Sequence, residues 1–157
     1  MSDRELADLR RDHIGFIFQA YNLIPVLTVE ENIEYIMLLQ GVAKQERHKR
    51  VRKMLAEIGM EGFEKRFPPK ISGGQQQRVA IARAMVSQPE LILADEPTAN
   101  LDSKTGGALL DMMRGLNRKT GMTFLFSTHD PMVRERADRV ITLKDGRVDK
   151  DERRTVN

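Results

Sequence analysis

Leu91-Ile92-Leu93-Ala94-Asp95-Glu96-Pro97-Thr98 is the stretch that decides the fold. A short apolar run held between Pro89 and Pro97 reads as a buried strand of a parallel sheet. It exits into two adjacent carboxylates, and open α/β sheets take their ligands just beyond the carboxyl ends of the strands. There Asp95 could hold a Mg²⁺-bound water, and Glu96 could orient or deprotonate an attacking water. A strand that merely leaves the sheet through a polar turn has the same composition, so this run is informative only in company.

The company lies on both sides. Upstream, Ile14-Gly15-Phe16-Ile17-Phe18 reads as a buried strand ending at Gln19. Downstream, Met122 to Ser127 reads as a second buried strand, followed by His129. If the strands are parallel, Gln19, Asp95-Glu96 and His129 share one edge of the sheet. A histidine there can hydrogen-bond a terminal phosphate and the water that attacks it, whereas His13 and His48 read as ordinary surface or core residues. Helices fill the intervals. Capping boxes at Ser2/Glu5 and Thr28/Glu31 open the first two, with Gly41 as a stop for the second. Val51, Met54, Leu55 and Ile58 mark an amphipathic helix from Lys44, closed by Gly59, and another helix follows Asp102. Val140 to Val148 reads as a hairpin turning at Asp145-Gly146, and the polar tail from Lys150 is expected to fray. The alternation predicts an α/β sheet, with the mostly helical stretch 20–87 inserted between strands.

Within that insert stands Ile71-Ser72-Gly73-Gly74-Gln75-Gln76-Gln77-Arg78. Ser72 and Gln75 form a third capping box, which alone would make this an ordinary helix start. Two glycines in the first turn argue otherwise, since each costs about 1 kcal/mol of helix propensity relative to alanine. A bare backbone makes sense where a ligand must approach the free N–H groups and positive dipole of a helix N-terminus, and a phosphate suits both.

Composition bounds the alternatives. The chain has 157 residues, 40% apolar and 31% charged, enough for one domain with a real core. The net charge of +3 is too slight to argue for nucleic acid. The basic run Lys44, Arg47, Lys49, Arg50, Arg52, Lys53 is interrupted by Glu46 and carries no aromatic residues, as solvated helix faces do. No cysteine is present, so disulfides and thiolate metal sites are excluded. No apolar run is long enough to span a bilayer, and the charged first residues lack the apolar centre of a signal peptide. A cytoplasmic location, with no nucleic acid and no direct membrane insertion, is the expectation.

These motifs, in this order, resemble the nucleotide-binding subunit of ABC transporters. Gln19 matches the family's Q-loop, and Ser72-Gly73-Gly74-Gln75 its signature motif, with Ile71 where leucine is usual. Leu91 to Glu96 matches the Walker B strand with its catalytic glutamate, Ala99 to Asp102 the D-loop, and His129 the switch histidine. The residues from Ile14 to Pro25 and from Leu27 to Asn32 resemble the branch serving lipoprotein release and macrolide export. The resemblance implies ATP and Mg²⁺ as cofactors, with Glu96 and His129 catalytic and Asp95 and Gln19 on the metal. Gln19, Ser72, Gly73, Gly74, Gln75 and Asp102 would contact nucleotide. It implies a P-loop NTPase (RecA-like) core over 1–19 and 88–149, a helical signature subdomain over 20–87, and a flexible tail over 150–157. It also implies two partners: a membrane permease subunit, which would hold the chain at the inner face of the membrane, and a second ATPase subunit in a head-to-tail dimer.

One departure qualifies all of this. The family's phosphate loop, G-x-x-x-x-G-K-[ST], precedes the Q-loop, and these 157 residues contain no Gly-Lys dipeptide. The aromatic residue that stacks on adenine in the family is also outside the sequence, and Met1-Ser2 suggests a shortened reading frame. The expectations that follow are no efficient ATP binding or turnover by this chain alone, and a signature helix that could still serve a complete partner. The apolar faces of Leu91–Leu93 and Phe124–Phe126 should lack cover, making the lone monomer unstable. A non-enzymatic signature-bearing half, or an inert remnant, is the alternative. A soluble ATPase of DNA repair or translation fits less well: only a compact helical stretch separates Gln19 from Ser72, where repair relatives insert coiled coils.

Overall fold

The computed structural model describes residues 2–154. Helix α1 (Asp3–His13) leads into strand β1 (Ile14–Ile17). Helices α2 (Val29–Leu39) and α3 (Lys44–Glu57), a single 3-10 turn at Pro68–Lys70 and helix α4 (Gly73–Met85) separate it from β2 (Leu91–Asp95). Then come α5 (Ser103–Thr120), β3 (Thr123–Ser127), the short α6 (Pro131–Arg136) and the strands β4 (Arg139–Lys144) and β5 (Arg147–Arg153). The α/β class and the parallel sheet are as read from the alternation.

The three predicted capping boxes all form, with Ser2, Thr28 and Ser72 accepting from the backbone N–H of Glu5, Glu31 and Gln75. Three strands make a parallel sheet in the order β1-β2-β3, with Ile17 paired to Ala94 and Asp95 to Ser127. Because all three run the same way, residues 18–19, 95–96 and 128–129 emerge along one rim. One face of the sheet is buried: Gly15, Ile17, Ile92 and Ala94 face the core, and α4 lies against β1. A single apolar cluster joins these strands to Val29, Ile33 and Met37 of α2, Leu55 of α3, Val79, Ile81 and Met85 of α4, and Leu109 and Met113 of α5. The helical stretch 20–87 and the strands therefore share one core.

The opposite face is another matter. Ile14, Phe16, Leu91 and Leu93 are half-buried, and Leu125 of β3 is 54% exposed. The strand predicted as buried over 122–127 is thus an edge strand with no fully buried residue, paired only to β2 among the described residues. Strands β4 and β5 do not join it but form their own antiparallel pair. Parallel sheets are ordinarily covered on both faces, whereas here one face and the β3 edge stay partly open among the described residues.

The hairpin turns where expected: Asp145 (φ +49°) and Gly146 (φ +74°) both take the left-handed region that a two-residue turn demands. The tail differs from expectation. Strand β5 continues to Arg153, because Asp151 takes a forked pair of bonds from Arg139 (2.8 and 2.6 Å) and the N–H of Arg154 donates to Asp138 O. Residues 155–157 of the predicted tail lie outside the described residues. No helix among the described residues is long and apolar enough to cross a membrane.

Candidate functional site at the strand ends

Glu96 is the first residue beyond β2, and its backbone is left-handed at φ +42°. Such a conformation costs a non-glycine residue about 1–3 kcal/mol and concentrates at functional sites. Its N–H still donates to Ser127 O, so the ladder holds the strained residue in place. The turn aims the carboxylate across the rim at the residues after β3. Thr128 Oγ1 donates to Glu96 Oε2 (2.9 Å), and His129 N and Nδ1 lie 3.0 and 2.6 Å from Oε1. Two positions further on, Thr98 Oγ1 donates to Asp130 Oδ2 (2.6 Å), tying the same two segments again.

Two consequences follow for the chemistry available. With Glu96 ionised its oxygens can only accept, so Nδ1 carries the proton of the 2.6 Å contact and donates to Glu96. The Nε2 atom of a neutral His129 is then an acceptor, and it donates to an anion only in the imidazolium. The imidazole is 90% exposed, whereas the carboxylate is 20% exposed. Burial by itself would raise the Glu96 carboxyl, and the bonds from Thr128 and His129 outweigh it, leaving it below the ordinary carboxylate range. A carboxylate offers about four acceptor sites. Three are taken here, which leaves room to orient one water, but a lowered pKa makes this arrangement a weak proton acceptor. The contact also has a pH sense: it stabilises the fold above the unfolded carboxyl's pKa and is lost as pH falls through the lowered folded value.

Asp95 and Gln19 have exposed side chains that make no hydrogen bond or ion pair among the described residues. They are free to meet a ligand. No cluster of three His, Cys, Asp or Glu able to hold a metal occurs among the described residues. This donor set therefore suits Mg²⁺ only when phosphate oxygens and water fill most of its octahedron, which is how Mg²⁺ is commonly bound beside nucleotides.

At the start of α4, Ser72 Oγ and the Gln75 side chain are engaged in the capping box (3.2 and 2.9 Å). The N–H groups of Gly73 and Gly74 find no backbone partner among the described residues. The diglycine is also crowded from within. A Cβ on Gly73 would stand 2.9 Å from Tyr21 Oη, and one on Gly74 would stand 2.7 Å from Thr105 Cγ2. Asp102 has its carboxylate occupied as the cap of α5, accepting from Thr105 N (2.9 Å) and Thr105 Oγ1 (2.7 Å). The geometry gives it this structural duty, and a nucleotide contact would have to share it.

Sequence reasoning missed the residues that tie the rim together. Gln77, Arg83 and Asn100 grip the 18–22 segment from α4 and from the 97–101 loop, and Thr128 shares the Glu96 carboxylate. Helix α6, capped by Asp130 with Pro131 in its first turn, was also unforeseen. Two prominent features lie elsewhere. A cleft of about 720 Å³ floored by Met54, Met85 and Met122 opens at the amino ends of the strands, away from every residue above. On the basic helix, Arg47 is paired with Glu34 and Arg50 with Glu46, as a structural face would be.

Known proteins resemble this chain in sequence and fold. The family model described as ABC transporter matches residues 1–99. An uncharacterized ABC transporter ATP-binding protein of Mycobacterium tuberculosis is 48% identical over 147 residues, covering 94% of this chain and 59% of that protein. The ABC transporter ATP-binding protein YtrE of Bacillus subtilis is 46% identical, covering 92% of this chain and 63% of its own length. Among solved structures, an ATP-binding cassette in a dimeric post-hydrolysis state bound to ADP and Pi superposes with a TM-score of 0.83 at 44% identity, over 98% of this chain and 68% of that one. The chain thus spans about three fifths of the length of the first curated relatives it matches.

Proposed function

This chain belongs to the ABC transporter family of ATP-binding subunits, and from that membership we propose that its rim is the water-handling half of a nucleotide site completed by other residues. Mg-ATP, when bound, supplies the phosphoanhydride whose terminal phosphoryl group passes to water. Asp95 and Gln19 would meet the metal and its waters, Glu96 would orient the attacking water, and His129 would face the terminal phosphate. The diglycine start of α4 offers its amides to a nucleotide held by a second, head-to-tail ATPase subunit. The observation that carries the reading is the direct Glu96–His129 contact across two strand ends, with the Asp95 side chain, unpartnered among the described residues, beside it.

In this reading residues 1–149 act as one incomplete ATPase domain. A membrane permease converts its closing and opening into export or lipoprotein release, and the chain sits at the inner face of the cell membrane. A relative bearing the name macrolide export ATP-binding/permease protein MacB, from Pasteurella multocida, is 45% identical across 157 residues and supports that branch. No phosphate loop lies within the 157 residues, so turnover requires one from elsewhere. The test is ATP turnover by the 157-residue chain with and without a supplied polypeptide carrying the loop. Turnover is expected in the mixture alone. Equal turnover by the chain by itself would overturn the dependence. A mixture that stays inactive while still binding Mg-ATP would favour the non-enzymatic, signature-bearing reading.

A further inference from the structure

We propose that Gln77, Arg83 and Asn100 are positioning residues that transmit occupancy of the α4 start to the Gln19 segment. The proposal rests on the reading above, that the α4 start meets a phosphate.

The carbonyls of the 18–22 segment are held largely by side chains from two other elements. Gln77 Nε2 donates to Phe18 O (3.4 Å) and Pro97 O (2.7 Å), Asn100 Nδ2 to Gln19 O (2.9 Å), and Arg83 to Tyr21 O (2.9 Å) and Asn22 O (2.5 Å). Four of five consecutive carbonyls are thus gripped from outside the segment. The grip is needed, since Tyr21 and Asn22 are both left-handed, at φ +62° and +52°. Tyr21 returns the contact, its hydroxyl lying against Gly73 at the start of the same helix.

Gln77 is the central joint. It is fully buried in α4, one turn after the diglycine, and its Oε1 has no partner among the described residues. Turning the amide over would not help, because it would set that oxygen against the carbonyls of Phe18 and Pro97. One amide is therefore committed to both the end of β1 and the residue after Glu96, at the cost of a buried acceptor left unpaired. Arg83 takes its grip six residues further along the same helix, about 9 Å at the α-helical rise. Two grips on one rigid helix mean that a displacement of its N-terminus must displace the 18–22 segment. Asn100 makes the 97–101 loop part of the same body. A merely structural role would have these side chains satisfy loop carbonyls without passing anything on.

Backbone hydrogen exchange separates the two, since the N–H groups of Tyr21 and Asn22 are bonded within the segment and report its opening. The 157-residue chain is mixed with an intact loop-bearing ATPase subunit, with and without Mg-ATP. In the wild type, exchange is expected to slow by about threefold or more both at 72–76 and at 18–22, as local opening is suppressed. In Gln77→Leu, and separately in Asn100→Ala, the slowing at 72–76 should persist while that at 18–22 disappears. Arg83→Lys, which keeps the charge but cannot fork, gives the same comparison should Gln77→Leu not fold. Equal slowing at 18–22 in wild type and variants overturns the proposal, as does a wild type that responds at 72–76 alone. No response at 72–76 in the wild type instead overturns the reading of the α4 start, and the proposal with it.

Discussion

Glu96→Gln lowers ATP turnover of the loop-supplemented protein by about 10²–10³-fold, the range expected when one preorganised electrostatic group is lost, while leaving Mg-ATP affinity nearly unchanged. The substitution is isosteric, and the site can absorb it. The new amide oxygen still accepts from His129 N and Nδ1, and the new NH₂ faces the Thr128 hydroxyl, which can accept as well as donate. The fold is therefore kept, and what disappears is the negative charge that orients a water. Steady-state turnover with a parallel nucleotide-binding measurement checks this. Turnover within about threefold of the parent would mean that the carboxylate is only a strut between β2 and β3.

Gly15→Ala produces the largest loss of stability. A methyl group at Gly15 would fall inside contact distance of the Ala84 carbonyl oxygen and 2.6 Å from Ile92 Cδ1. The first of these is helix backbone and cannot rotate away, so α4 must lift from β1. Overpacking of this kind costs about 3 kcal/mol, a urea midpoint lower by about 1.5 M at a slope near 2 kcal/mol/M. Gly115→Ala is the internal control: it is an exposed helical position with nothing within 4 Å of the added carbon, and it should gain up to about 1 kcal/mol. Denaturation of both variants under one set of conditions decides the matter. A Gly15→Ala loss below about 1 kcal/mol would show that α4 can yield. Because α4 carries both the diglycine and Gln77, its seat on β1 also sets the geometry of the rim.

Much of this was legible in the sequence because its causes are local. Capping boxes, the Asp145-Gly146 turn and the apolar run 91–94 each depend on residues a few positions apart, and each formed as read. The strand over 122–127 was misjudged because its apolar content reports what it can bury, whereas its exposure depends on what lies beside it. The tail was misjudged because polar residues suggested fraying, while ion pairs across a short hairpin hold it. The rim was recognisable only as three separate strand ends. Their joining depends on contacts between residues 32 to 81 positions apart, such as Glu96 with Thr128 and Gln19 with Asn100. Gln77 did leave a trace, as a polar residue in the buried stripe of α4, but nothing local said which carbonyls it would serve.

The central claim is that Gln19, Glu96 and His129 act together on one nucleotide. NMR of the labelled chain, with a loop-bearing polypeptide present and Mg-ATP titrated in, tests it most directly. The signals of Gln19, Asp95, Glu96 and His129 should shift together along one saturation curve, with Lys49 and Lys53 on α3 unmoved. Shifts confined to α3 or to the methionine-floored cleft, with the rim silent, would contradict the account.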